Sequence, residues 1–422
     1  MERAAVKYGP ALEAEFEIEQ IGTGAGYQLR GGSGASCWGY NQSNIVRWGE
    51  QVYALSWRDD LRLVVYRRRG PGQWEESPPL PPVPQNGNVL VDQQGRLHLI
   101  SGADASWHAL FEAPARNWKF ELREYAEADS RFGAAINGQG QILVAGGLKQ
   151  LAWYVLDPEG DYRALAAGRV QHEEQRGYNF TAFAGRAAHA FCSDDYFVGG
   201  EQFSRGSVSR KNPASGEPEV VQTERGIYPV LRTYYYYCPD VFAEPENWRM
   251  EVISDVSDTY EDGARGTTEQ QDLLLDDAGS IHLIYFENRQ PVRTVWASEG
   301  QDPGKSRLYH AVGEPGGALR HFCLGNFNSG RLYQGMDGNM HYLLTRGRRG
   351  AATELWYSVG VAGDWGCISR PVRLAMPTPF WHLYINTRRA GGTLAPFIDC
   401  YWTGPYQGKS NEVWYARLQV AG

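Results

Sequence analysis

Several things are scarce in this 422-residue chain, and each scarcity narrows the reading. No apolar run approaches the ~18 residues that a membrane-spanning helix needs, so no membrane partner is expected. The six cysteines (Cys37, Cys192, Cys238, Cys323, Cys367, Cys400) are scattered and form no CxxC pair, which argues against a zinc knuckle or a dithiol redox motif. There is no GxSxG elbow, no P-loop, no HExxH and no HxE/PCxxC deaminase pattern, so no cofactor is implied. Positive charge is not in excess: the net charge of -8 argues against a general nucleic-acid binder. Helical periodicity is also lacking. Sustained i, i+3, i+4 spacing is hard to find, and Gly or Pro interrupts nearly every window of helix length. The opening "MERAAVKYGPALEAEFEIEQ" has no apolar h-region, which points to the cytoplasm, or to secretion if a leader was trimmed.

What is abundant is glycine (50), tyrosine (25) and tryptophan (14), the composition of many short strands joined by tight turns. Three phrases recur in fixed order. A glycine turn leads into a strand with one His, as in "DQQGRLHLISG" (from Asp92), "DDAGSIHLIYF" (from Asp276) and "MDGNMHYLLTR" (from Met336). A strand carrying adjacent aromatics follows, as in "TELWYSV" and "NEVWYARL". A short strand with an aromatic near its start closes the unit, at Trp74, Trp118, Tyr162, Trp248 and Trp365. Trp74 to Trp118 and Trp118 to Tyr162 are both 44 residues. A period of roughly 40–45 residues with about four strands is that of a β-propeller blade, which buries its faces only against its neighbours.

The expected fold is therefore all-β: one seven-bladed propeller, rather than eight, covering the whole chain. The blades fall at about 38–80, 84–126, 130–168, 176–254, 266–324, 326–374 and 378–420. The fourth is too long, and residues at about 196–225 read as an insertion between its second and third strands. The N-terminal "EAEFEIEQI" (Glu13 to Ile21) alternates like a strand and is expected to pair into the last blade and close the ring.

His98, His282 and His341 share one position of the second strand, and His189 sits one residue further from its glycine. A ring of imidazoles at the axis would bind a metal or an acidic ligand. A residue copied across blades more often serves the shared fold, and that reading is preferred. A site belongs where blades differ: in the loops leading into first strands and those between second and third strands, which share one face. That face collects Arg58, Trp107, His108, Glu287, Arg289 and Arg346 from the second kind of loop. The lead-in loops add Asn44, Asn88, Tyr178, Asn179, Trp381 and His382, with His172 and Arg176 beside them. Flat rings stack on sugars, amides bond hydroxyls and arginine grips carboxylates. An acidic oligo- or polysaccharide is the expected partner, bound by a monomer.

The phrases "DQQGRLHLISG" and "DDAGSIHLIYF" resemble the D-x-x-G-x-x-H repeat of BNR-type propeller proteins, a group that includes ulvan lyases and rhamnose–glucuronate-cleaving propeller enzymes. "YINTRRAGGTLAPFIDCYW" is similar to the last blade of such proteins. The resemblance implies a carbohydrate-active enzyme, either a polysaccharide lyase or a glycoside hydrolase acting on uronic-acid glycans; the alternative is a non-catalytic glycan-binding propeller. The His-Asn pair of ulvan lyases does not precede Asn44, Asn88 or Asn179, and the sialidase Asp-box is absent. For a lyase, Arg289 or Arg58 is the candidate neutraliser of the uronate, and His108, His382 or Tyr178 the candidate proton carrier. Asn44, Asn88, Trp107, Asn179, Glu287, Arg346 and Trp381 are candidate substrate contacts. A hydrolase would need two carboxylates, for which Asp59, Glu269 and Glu287 are candidates.

Overall fold

The computed structural model describes residues 3–23, 41–58, 62–81, 87–101, 107–124, 132–159, 164–172, 176–194, 197–198, 201–202, 207–211, 218–222, 230–256, 266–290, 303–348, 352–378, 380, 382–404 and 412–420. Short antiparallel sheets, each ordered outward from its first strand, are arranged as a seven-bladed propeller. The first strands are Ile45–Trp48, Gly87–Val91, Gly133–Ile136, Arg176–Ala184, Thr267–Leu275, Ser329–Gln334 and Leu383–Ile385. Each touches the first strand of the next blade, and Leu383–Ile385 touches Ile45–Trp48, so the inner wall is a closed ring. Second strands such as Leu97–Ser101 and Ile281–Asn288 are buried along their whole length, because a blade is covered on both faces. The apolar core is accordingly a series of clusters between consecutive blades, not one central mass. The tyrosine run shows this. Tyr234 and Tyr236 pack with blade three, and Tyr235 with blade five.

Blade seven supplies only three strands of its own. Its fourth is Ala14–Thr23, antiparallel to Glu412–Val420, which closes the ring as the alternation of that segment implied. The chain ahead of it also has a role. Arg3–Ala5 and Lys7–Ala11 add parallel fifth strands to the outer edges of blades five and six. Covering an edge removes a row of unpaired backbone groups. Between the second and third strands of blade four the chain forms two small hairpins, Phe197–Val198 with Glu201–Gln202 and Ser207–Lys211 with Pro218–Gln222.

The repeated aromatic docks blades one, two, four and six on the blade before each; Tyr162 lies outside the described residues. Trp74 donates from its indole nitrogen to Glu19 (2.9 Å) in blade seven, and Trp118 to Glu75 (2.9 Å) in blade one. Trp248 packs on Trp153, and Trp365 stands edge-on to His282 at 4.9 Å.

The repeated histidines also serve the fold, through side-chain hydrogen bonds within their own blades and not through the backbone. His98 Nε2 lies 3.2 Å from the Asp92 carboxylate, and its Nδ1 lies 3.0 Å from His108 Nε2. His282 repeats this with Asp276 (3.1 Å) and His310 (2.8 Å), and His310 continues to the Tyr342 hydroxyl at 3.1 Å in the next blade. In His189 and His341 the third-strand partner is a tyrosine hydroxyl, Tyr235 at 2.8 Å and Tyr357 at 2.7 Å. An ionised Asp92 fixes His98 as donor at Nε2 and acceptor at Nδ1. Burial by itself would raise Asp92, but the hydrogen bonds from His98 and Arg96 outweigh it and hold the carboxyl at about 2. Burial pushes His189 down to about 3 and lowers His98 as well. These are buried, hydrogen-bonded core histidines in separate blades. Among the described residues no group of three His, Cys, Asp or Glu side chains converges to hold a metal.

Candidate functional site

The lead-in end of the axis is built around a short polar segment, Asn41 to Asn44, just ahead of the first strand of blade one. It is fully packed yet belongs to no strand. Its contacts run across several blades. Asn41 donates to the carbonyls of Phe132 (2.9 Å) in blade three and Asn179 (3.0 Å) in blade four. Gln42 accepts from Gly87 N (3.1 Å), and Ser43 donates its backbone N–H to Asn88 Oδ1 (3.0 Å). Blade three admits this close approach because it begins on Gly133, where a Cβ would lie 2.2 Å from the Asn179 carbonyl.

This arrangement gathers the three predicted asparagines. Asn44, Asn88 and Asn179 are all fully buried, at 0% exposure. Among the described residues, both amide atoms of Asn44 and of Asn179, and the Asn88 nitrogen, have no hydrogen-bond partner. Gln270 of blade five joins them: its nitrogen donates to the Tyr178 carbonyl (2.7 Å), while its oxygen is unpartnered. Leaving a buried amide unsatisfied costs about 1–3 kcal/mol, so such a cluster needs a reason.

Tyr178 and Asn179 sit where the register of blade four slips, between Gly177 and Phe180. Among the described residues Tyr178 is the one non-glycine with positive φ, at 58°. A bulky side chain in the left-handed region is strained, and such strain concentrates at functional positions. Two residues earlier, Arg176 is buried with its guanidinium 3.6 Å over the Tyr234 ring and hydrogen-bonded to the Tyr236 hydroxyl; its Nε has no partner. His172 stacks on Tyr236 and is partly exposed. Burial, with the Arg176 charge added, pushes His172 down to about 4, so it is a neutral base at pH 7.

Other predicted residues are placed differently. His108 is wholly buried and bonded to His98, so it is part of the blade-two core and not a proton carrier for a ligand. Glu287 is 2% exposed and saturated. Arg3 grips both oxygens (2.5 and 2.6 Å), Ser254 adds 2.7 Å, and Arg289 adds 3.1 Å. It is the latch of the N-terminal segment, and Arg289 is thereby tied to it instead of waiting for a uronate. Trp107 is a core residue at 4% exposure. Arg58 is half exposed and paired with Glu76 at 3.4 Å. Arg346 bonds the Asn326 carbonyl (2.9 Å) and lies over Phe327 and Trp356. His382 is buried beside the first strand of blade seven. Asp59 and Trp381 lie outside the described residues. Asn41 and Gln270 were missed. The polar run "NQSN" immediately before an apolar strand was the available signal for Asn41. Gln270 had none.

The opposite end of the axis is closed by the turn after the first strand of blade seven. Its short 3-10 turn, Arg388–Ala390, is followed by Gly391 at φ 79°, where a Cβ would lie 1.7 Å from the Val91 carbonyl of blade two. Arg389 pairs with Asp272 of blade five (2.5 Å), Arg388 with Asp277, and Thr393 N donates to the Arg47 carbonyl of blade one (2.9 Å). Arg47 in turn holds Asp399 by two bonds of 2.5 and 2.7 Å, both side chains being buried.

No protein-family model matches the chain, and no curated protein matches its sequence. Solved structures do match its fold. A PL25 ulvan lyase described as a new family of polysaccharide lyase is 10% identical, with 96% of this chain and 95% of that chain covered and a TM-score of 0.57. The same values hold for a PL25 ulvan lyase bound to -[GlcA(1-4)Rha3S]-. The polysaccharide lyase Uly1 is 11% identical, with 97% and 99% covered and a TM-score of 0.57. At this identity the likeness establishes the fold.

Proposed function

We propose that the protein is a carbohydrate-active enzyme that cleaves a uronic-acid-containing glycan by β-elimination at the lead-in end of the axis. The carrying observation is Tyr178: a strained, left-handed residue two positions after Arg176 and next to Asn179, at the slip in the register of blade four. The amides of Asn44, Asn88 and Asn179 are unpartnered among the described residues but fully buried, so they underlie this end of the axis and do not themselves meet a sugar. Arg176 supplies the positive charge that acidifies the proton next to a uronate carboxyl. His172 takes that C5 proton. The electron pair left behind forms the C4=C5 double bond as the C4–O bond breaks, and Tyr178 protonates the departing oxygen. Hydrolysis is less well supported, because Glu287, a leading carboxylate candidate, is consumed by Arg3, Ser254 and Arg289. The fold shared with polysaccharide lyases agrees with this reading and does not by itself carry it.

The test is incubation with a panel of uronic-acid oligosaccharides, following absorbance near 235 nm for unsaturated product alongside reducing ends. Unsaturated product lost in Tyr178→Phe and Arg176→Ala supports elimination. Reducing ends without absorbance mean hydrolysis, and binding without either means a lectin-like propeller; each of these overturns the proposal.

A further inference from the structure

Two arginines at the lead-in end bond to one asparagine. Asn326 lies in the loop that leads into the first strand of blade six, Ser329–Gln334. Its carbonyl accepts from Arg346 Nε (2.9 Å), near the end of the second strand of the same blade, Met340–Arg348. Its side-chain oxygen accepts from Arg307 Nη1 (3.3 Å), at the start of the third strand of blade five, Arg307–Gly313. Each arginine stands opposite a glutamate in the register of its hairpin, Arg307 opposite Glu287 and Arg346 opposite Glu354. Both glutamates are taken by other groups. Glu287 is held by Arg3 (2.5 Å) and Arg289 (3.1 Å), and Glu354 by Arg373 (3.2 Å) and the Trp356 indole (3.2 Å). Among the described residues neither Arg307 nor Arg346 makes an ion pair.

Two aromatic rings fix the Arg346 guanidinium, with the Phe327 centroid at 5.0 Å and that of Trp356 at 5.2 Å. Nε is spent on Asn326. The two terminal nitrogens make no hydrogen bond among the described residues and, unlike the amides of Asn44 and Asn179, they are not enclosed. Arg307 is exposed. A planar guanidinium held by its back edge presents its outer N–H groups as a fork, the geometry that grips a carboxylate or a sulfate. Two like charges on one asparagine repel each other, and an oxyanion beside them offsets that repulsion.

We infer that Arg307 and Arg346, joined by Asn326, form a non-catalytic subsite between blades five and six for the oxyanion group of an acidic sugar, a carboxylate or a sulfate ester. It lies on the same face as the proposed active site and further from the axis, since first strands line the axis and third strands lie outside them. A glycan chain crossing that face meets both places. The choice of a sugar rests on the proposed function; the choice of an oxyanion rests on the two guanidiniums alone.

The experiment is calorimetric titration of the full chain with tetragalacturonate, which carries carboxylates only, a carrageenan tetrasaccharide, which carries sulfates only, and neutral maltotetraose. Saturable binding of at least one acidic tetrasaccharide is expected, and the acidic probe that binds identifies the oxyanion. Its Kd should rise at least tenfold in Arg346→Gln and in Arg307→Gln. It should stay within about twofold in Arg320→Gln, which removes an exposed arginine from the far end of blade five. Binding should persist in Tyr178→Phe. No turnover is measured, so the result stands whether or not elimination occurs. The inference is overturned if neither acidic probe binds saturably, or if maltotetraose binds as tightly. It is also overturned if Kd is unchanged in Arg346→Gln and Arg307→Gln, or if Arg320→Gln weakens binding as much as they do.

Discussion

The two ends of the propeller axis both bury polar side chains and are finished in opposite ways. At the turn end the charged groups are used up. Arg47 is spent on Asp399, Arg389 on Asp272 and Arg388 on Asp277. At the lead-in end the amides of Asn44 and Asn179 are as deeply buried but have no partner among the described residues, and Tyr178 holds a strained backbone. Stability explains the first pattern. It does not explain the second, because each unsatisfied amide and each strained residue opposes folding. The contrast separates a keystone from a site.

Breaking the keystone should have the largest effect. Asp399→Ala leaves the Arg47 guanidinium buried without its carboxylate, and unfolding by urea should show a loss of about 3–5 kcal/mol with an unchanged m-value. If the midpoint barely moves, the turn end is not a keystone. Removing a blade histidine comes next. His282→Ala takes one partner from Asp276 and one from His310, leaving Asp276 Oδ2 and His310 Nε2 without that bond, and should cost about 1–3 kcal/mol.

Acid should act on the same buried groups. Burial lowers His189 to about 3 and His321 to about 4, against about 6.5 in the unfolded chain. The unfolded state therefore binds more protons between these values, so stability is complete above about pH 6.5 and falls as pH drops towards 4. A Tm series from pH 8 to 4.5 checks this, and a flat profile would contradict the buried neutral state.

Substitutions at the lead-in end should scarcely touch stability. At Tyr178, glycine should be more stable than alanine by about 1 kcal/mol, the reverse of their usual order, because only glycine accepts positive φ without strain. Asn179→Ala removes an amide with no partner, and its denaturation midpoint should stay within about 0.5 kcal/mol of the parent while turnover of uronic-acid oligosaccharides falls. A large destabilisation by Asn179→Ala would place it with the keystone and end the contrast.

Much of this was legible in the residues. The 44-residue spacing of Trp74 and Trp118 has a direct physical cause, since each indole docks on a carboxylate of the preceding blade. The D-x-x-G-x-x-H phrase is equally local: turn aspartate and strand histidine meet within one hairpin, six residues apart. His108 and Glu287 misled for a common reason. Both were expected in loops between second and third strands, but His108 lies within the third strand of blade two and Glu287 within the second strand of blade five, and the groups that consume them, His98 across the hairpin and Arg3 from 284 residues away, depend on pairing that no local pattern records.

The sequence by itself determined an all-β, seven-bladed ring and a closing strand at Glu13 to Ile21, observed as Ala14–Thr23, because alternation, turns and a fixed period are properties of neighbouring residues. Only the tertiary structure decided which polar groups are spent and which are spare. Closing the ring brought Asn41 to Asn179 and Arg389 to Asp272, contacts spanning more than a hundred residues, and a side chain's availability is set by what meets it there.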